Sequence, residues 1–342
     1  MAGHLKKLDE QVVVITGASS GIGLTTARLA AARGARLVLA ARNGDALNQL
    51  ADDIRRGGGE AIAVVADIGS EDDVRGIARA AVGRFGGFDT WVNNAGSSIY
   101  GQMIDITTED HRRLFETNFW GVVYGSLESA RHFRGKDGRH AGALINVGSV
   151  LSDRAIPIQG MYSTSKHAVK GFTDALRMEL EAEGVPVSVT LIKPSSIDTP
   201  FPQHARNYMD EEPTLPPPVY APDVVARAIL HCAETPERDV TVGGGGKGIA
   251  AMGLVPRIAD KILGATLPQA QRKGEPPRNP AGALHAPTFG MKERGDYSGP
   301  VLESSAYTAA SLHPIWTGLL AVGAGLAIAA LVVGRPSDGR RG

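Results

Sequence analysis

Short apolar runs recur along the first 245 residues, separated by stretches in which apolar positions fall three and four apart. The two periods predict strands and helices in alternation, because side chains repeat every second residue along a strand and about every 3.6 along a helix. Strands are expected at 11–16, 36–41, 61–66, 89–93, 142–148, 185–192 and 238–242. Runs such as QVVVIT (11–16) have the pattern of strands buried on both faces. Parallel neighbours need crossover connections, which lay helices over both faces of the sheet. The expected fold is therefore α/β: a Rossmann-type doubly wound parallel sheet in a single domain, residues 1–250, followed by a C-terminal helix over 251–264. Ligands of such sheets bind beyond the strand C-termini, where Gly17, Asn94 and Ser149 fall.

Two later stretches break this rhythm. Residues 200–222 are too proline-rich and polar for regular core structure and read as a lid over a substrate. Residues 265–310, which include RKGEPPRNPAGALHAP, read as a linker. As a flexible tether it would have an end-to-end distance on the order of 40 Å. From Ile315 to Gly334 the chain carries no charge. As a helix this stretch extends about 30 Å, which matches the hydrocarbon core of a bilayer. Residues 311–334 are thus read as a single transmembrane anchor, with Trp316 at one interface and the basic tail 335–342 at the other. The polar start MAGHLKKLDE does not read as a secretory signal. A cytoplasmic catalytic domain, tied to a lipid bilayer by its C-terminal end, is expected.

Composition narrows the partners. The 36 basic and 36 acidic residues balance, with no dense basic block, so nucleic acid is not expected as a partner. The single cysteine, Cys232, cannot form an internal disulfide and reads as a small core residue on a helix over 223–233. The histidines show no ligand spacing, and no metal is expected.

The chemistry is carried by two segments. The strand at 11–16 runs into Gly17-Ala-Ser-Ser-Gly21-Ile-Gly23 and then a helical pattern. Glycines there permit a tight turn, close approach of a pyrophosphate to backbone and close helix–strand packing, while the helix N-terminus offers free N–H groups to phosphate. In the second segment, SVLSDRAIPIQGMYSTSK (149–166), Tyr162 and Lys166 are four apart and share a helix face. A lysine beside a phenol is expected to lower its pKa toward the range useful for proton exchange. Ser149 adds a neutral hydrogen bond to the same substrate oxygen. The strand at 36–41 ends Ala40-Ala41-Arg42, with no carboxylate to repel a 2′-phosphate and a guanidinium suited to bind one, so NADP(H) is favoured over NAD(H).

These motifs, in this order, resemble the short-chain dehydrogenase/reductase family over roughly the first 250 residues. The matching residues are Thr16-Gly17-Ala18-Ser19-Ser20-Gly21-Ile22-Gly23, Asp67, Asn93-Asn94-Ala95-Gly96, Asn118, Ser149, and Tyr162 with Lys166. The resemblance implies that Asp67 and Ile68 flank the adenine and that Asn94, Ala95 and Gly96 line the cofactor. It also implies that Lys166 holds the nicotinamide ribose and that Asn118 supports a water leading to Lys166. Pro194, Ile197 and Thr199 would approach the nicotinamide. The chain departs from the family pattern at Ser20, where NADP-preferring relatives often carry a basic residue, and at Ser195, where glycine is usual. Relatives associate through the helices carrying Asn118 and Tyr162, so a homo-oligomer is implied.

The expected function is NADP(H)-dependent interconversion of a carbonyl and an alcohol, on a small substrate that the anchor suggests is lipophilic. Two alternatives keep the same cofactor site: an epimerase or dehydratase, and a non-catalytic NADP(H)-binding membrane scaffold. The scaffold would be expected to lose Tyr162 or Lys166, and both are present.

Overall fold

Val12–Thr16 (β1) is buried at every position, because alternate residues leave the strand on opposite faces and both faces are covered. Val13 and Ile15 join one apolar cluster, with Leu24, Leu47, Leu50, Val225 and Ile229 from helices. Val12 and Val14 join another, with Val74, Ile77, Phe133 and Leu176. The computed structural model describes residues 4–135, 140–244, 248, 252 and 255–312.

Six further strands complete the main sheet: Arg36–Ala41 (β2), Ala61–Val65 (β3), Thr90–Asn93 (β4), Gly142–Val147 (β6), Val187–Pro194 (β7) and Asp239–Val242 (β11). All pair in parallel, in the order β11-β7-β6-β4-β1-β2-β3. The order reverses between β1 and β4, which opens a crevice at their C-terminal ends. Ile99–Tyr100 (β5) pairs with Arg206–Asn207 (β9), and Val219–Tyr220 (β10) lies between Ser196–Ile197 (β8) and Val301–Leu302 (β12). These small sheets build a rim above the crevice.

The crossover helices are Gly21–Ala32 (α1), Gly44–Arg56 (α2), Glu71–Phe85 (α3), Thr108–Phe115 (α4), Gly121–Arg134 (α5), Gly160–Ala182 (α6) and Pro222–Glu234 (α8), with a short turn of helix at Phe201–His204 (α7). Capping side chains fix several starts: Asn43, Ser70 and Thr107 each accept from a backbone N–H of the first turn of α2, α3 and α4. Cys232 is fully buried on α8.

The C-terminal part departs from expectation. The helix expected over 251–264 runs Pro256–Ala270 (α9). Residues 265–310, read as a tether, instead continue α9 and then lie against the domain. Ala283 N–H donates to the His204 carbonyl (2.7 Å), Met291 N–H to the Ser19 carbonyl (2.8 Å), and β12 extends the rim before a last helix, Ala306–Leu312 (α10). Proline and glycine exclude long helices there but leave backbone donors and acceptors free to bond to another surface. The transmembrane segment and basic tail fall, apart from residues 311 and 312, outside the described residues. Among the described residues no helix is long and apolar enough to cross a membrane.

Candidate active site

The crevice at the β1/β4 switch point is a cleft of about 470 Å³. Its floor is the turn after β1. Gly17 has φ +69°, and a Cβ on it would stand 2.7 Å from the Ala95 Cα. A Cβ on Gly23 would stand 2.1 Å from the Gly17 carbonyl, so α1 can pack this closely on the turn only because residue 23 is glycine. Thr16 Oγ1 accepts the N–H of Asn94 (3.0 Å) and the Asn94 amide donates to the Thr16 carbonyl (2.9 Å), which joins the ends of β1 and β4. Ser19, Ser20, Gly21, Ile22, Asn94, Ala95 and Gly96 thus line one continuous wall. Asn93, by contrast, is buried within the sheet, bonded to Asn146 and Ser126.

At one end of the cleft lie Arg42, Asp67 and Ile68. Burial lowers the Arg42 pKa, against the pull of the Asp67 charge. Arg42 donates to the carbonyls of Leu284 (3.1 Å) and Ala283. The Asp67 carboxylate accepts the Gly69 N–H (2.9 Å) and pairs with Arg113 of α4, whose Nε also reaches the Leu284 carbonyl (3.2 Å).

At the other end β6 delivers Ser149, which caps the turn Val150–Ser152. α6 delivers Tyr162 and Lys166 one turn apart. The Ser149 hydroxyl is hydrogen-bonded to the Tyr162 phenol. The Lys166 ammonium donates to the Val147 carbonyl (2.8 Å) and stands 5.8 Å from the Tyr162 ring centre. Asn118 is fully buried in a π-helical turn, Glu116–Trp120, between α4 and α5. Its side chain bonds to both backbone groups of Ser97 (2.8 and 2.9 Å) and to Ser165 (3.1 Å). A Cβ on Gly96 would lie 3.4 Å from Asn118 Oδ1 and 3.8 Å from Lys166 Nζ, so these three residues meet at the cleft wall.

The electrostatics differ from the expectation of a lowered tyrosine. Burial pushes Tyr162 up to about 12, with the Ser149 hydrogen bond working against it, and pushes Lys166 down to about 8. Spacing puts the two side chains together, but the surrounding walls withhold the water that would support either charge. At neutral pH Tyr162 is a phenol, ready to donate, beside an ammonium.

Pro194, Ile197 and Thr199 line the wall between these two ends. Ser195, which replaces the usual glycine, keeps its N–H on the Val242 carbonyl (2.9 Å). The side chain finds room because Gly243 stands opposite, where a Cβ would come 2.1 Å from Ser195 Oγ.

Several residues in or beside the cleft wall carry no signal in the sequence reading. Arg113 is 46 positions from its partner Asp67. His204, pushed down to about 4 by burial and the neighbouring Arg42, faces Phe289 at 4.6 Å between ring centres. Leu263 and Leu267 are one helical turn apart on α9, a spacing that could have marked them as one face. They close the Tyr162 end together with Leu151, Ile156, Phe201 and Leu215, and the result is an apolar chamber.

Comparison with known proteins agrees with this geometry. The family described as short chain dehydrogenase matches residues 11–210. An "uncharacterized oxidoreductase YxnA" of Bacillus subtilis is 48% identical over 323 residues, 93% of this chain and 90% of its own. A crystal structure of 3-ketoacyl-(acyl-carrier-protein) reductase from Brucella melitensis with NADH shares 28% identity at a TM-score of 0.60, covering 70% of this chain and 99% of that one. An alcohol dehydrogenase from Thermococcus sibiricus with 5-hydroxy-NADP shares 26% at 0.59, covering 68% and 95%.

Proposed function

This chain belongs to the short-chain dehydrogenase/reductase family, an oxidoreductase acting with NAD(P), and we propose that it interconverts a lipophilic carbonyl and its alcohol with NADP(H). The observation that carries this reading is the placement of Ser149, Tyr162 and Lys166 at the apolar end of a cleft whose other end holds Arg42.

The glycine turn fits a dinucleotide, since glycine at 17 and 23 lets the turn close on Ala95 and α1 pack against it, which brings the helix N-terminus to the cleft floor. When bound, the cofactor supplies or accepts the hydride. The protein aligns the partners and handles the proton. Ser149 donates to the substrate oxygen and holds it against the Tyr162 hydroxyl. In reduction Tyr162 gives that oxygen its proton, and in oxidation the same oxygen atom of Tyr162 receives it. The Lys166 ammonium stabilises the phenolate left after donation. The buried Asn118, bonded to Ser97 and Ser165, keeps the β4 loop and α6 in register around Lys166.

The NADP(H) preference is supported by Arg42, by the absence of a carboxylate at the end of β2, and by Arg113, a second cation at the same end. The two solved relatives described above carry NADH and an NADP derivative, one of each. Arg42→Ala is expected to lower kcat/KM for NADPH by about 10- to 100-fold, the worth of one charge-assisted hydrogen bond, with little effect on NADH. Equal losses with both dinucleotides would reject the assignment.

The lipophilic substrate is supported by the apolar chamber and by the uncharged stretch 315–334, which we propose as a single-pass anchor holding a cytoplasmic catalytic domain at a bilayer. Association of like chains through α5 and α6 belongs to the same proposal. Trp120, in the π-helical turn beside α5, and Met178 on α6 are 42% and 64% exposed.

A further inference from the structure

The segment after α9 crosses the cleft at its adenosine end, bonded to both walls. On one wall, Ala283 N–H donates to the His204 carbonyl (2.7 Å), and the Arg294 guanidinium stands 3.9 Å from the Asp198 carboxylate. On the other, Met291 N–H donates to the Ser19 carbonyl (2.8 Å), Gly21 N–H donates to the Lys292 carbonyl (2.9 Å), and the Asn43 amide donates to the Thr288 carbonyl (2.8 Å). Glycine stands at each crossing. A Cβ at Gly282 would lie 2.3 Å from the Ala205 carbonyl, at Gly290 2.5 Å from the Ala46 Cβ, and at Gly295 2.5 Å from the Thr199 carbonyl. Between the crossings Pro287, Thr288 and Phe289 face the cleft.

The same segment sets two cations. The Leu284 carbonyl accepts from both Arg42 and Arg113, and the Ala283 carbonyl accepts from Arg42. A guanidinium has five N–H donors, so Arg42 keeps donors for a third acceptor after these two bonds. Asp67 pairs with Arg113, and its backbone N–H donates to the Asp73 carboxylate (2.8 Å).

We propose that residues 282–295 form a strap that is the fourth wall of the dinucleotide site. It closes over the adenosine half, positions Arg42 and Arg113 through two backbone carbonyls, and must lift before the cofactor can leave. The inference rests on the dinucleotide reading of the cleft and applies to whichever nicotinamide dinucleotide is preferred.

The test uses full-length protein loaded with NADPH and chased with excess NADP⁺, with release followed by fluorescence. Gly290→Val, which forces the strap off Ala46, is expected to raise the release rate at least about tenfold, because contacts that enclose a ligand act mainly on its departure. Phe289→Ala, a partly exposed position, is expected to raise it several-fold without risk to folding. Independently, saturating NADPH should slow tryptic cleavage of the wild-type chain after Lys292 and Arg294. Release from either folded variant at the wild-type rate or slower, or faster cleavage with NADPH bound, would overturn the proposal, since the strap would then be passive or a competitor. Absence of any NADPH or NADH binding would refute the dinucleotide reading itself, and the strap's role with it.

Discussion

Tyr162 and Lys166 show how the site handles a proton at the scale of single groups. Burial pushes the lysine down to about 8 from its ordinary 10.5 and the tyrosine up to about 12 from 10.0. Across pH 8 to 10.5 the unfolded chain therefore binds more protons at Lys166, and this residue's contribution to stability rises with pH in that window. Between pH 10 and about 12 the folded chain binds more at Tyr162, and stability from that group falls as pH rises. Catalysis follows the lysine first. Carbonyl reduction is expected to be flat up to about pH 8 and to decline with unit slope above it, as the ammonium that supports the phenolate is lost. A profile of kcat/KM that stays flat to pH 10 would show that the charge on Lys166 is not used. The four-residue spacing made the contact legible in the sequence. It could not reveal the pKa order, because that depends on walls to which Phe201, Leu263 and Leu267, distant in the chain, contribute.

At the scale of elements, the alternation of apolar runs with helical patterns is a local property, and the seven main strands fall within two residues of where the pattern places them. The Gly17–Gly23 turn and the ends of β4 and β6 were equally legible, since glycine and asparagine at strand ends have few other uses. Arg113 and the strap were not. The strap acts through the carbonyls of Ala283 and Leu284, and a carbonyl has no side-chain signature. The proline and glycine content that made residues 265–310 look like a tether also suits an extended chain bonding to another surface. α9 joins the two readings: Leu263 and Leu267 face the chamber, while Val255 at its N-cap and Ile258 and Ile262 on its outer side are 50%, 60% and 48% exposed. Leu267→Ser is expected to raise KM for apolar carbonyls by about tenfold, the cost of one poorly solvated methylene cluster made polar, with NADPH affinity unchanged. An unchanged KM would place the substrate elsewhere in the cleft.

For the whole molecule, the exposed apolar side of α9 lies on the same helix that closes the substrate chamber, and the chain beyond α10 contains the uncharged stretch 315–334. Both features support a catalytic domain held at a bilayer from which an apolar substrate enters. The full chain is expected to remain with membranes after alkaline carbonate extraction, and a chain carrying Leu320→Arg with Leu326→Arg to be released, since each charge within a span costs about 2.5–3.5 kcal/mol. Release of the unaltered chain would remove the anchor from the account and leave the oxidoreductase reading in place.

The central claim is that Tyr162 transfers the proton when hydride passes between a nicotinamide dinucleotide and a carbonyl. It is tested most directly by mixing NADPH-loaded protein with a panel of apolar ketones and following NADPH oxidation in the wild type and in Tyr162→Phe, with NADPH affinity measured for both. The account predicts oxidation by the wild type and a loss of about 10²- to 10⁴-fold in the variant at equal NADPH affinity. Oxidation at the same rate in the variant would contradict it.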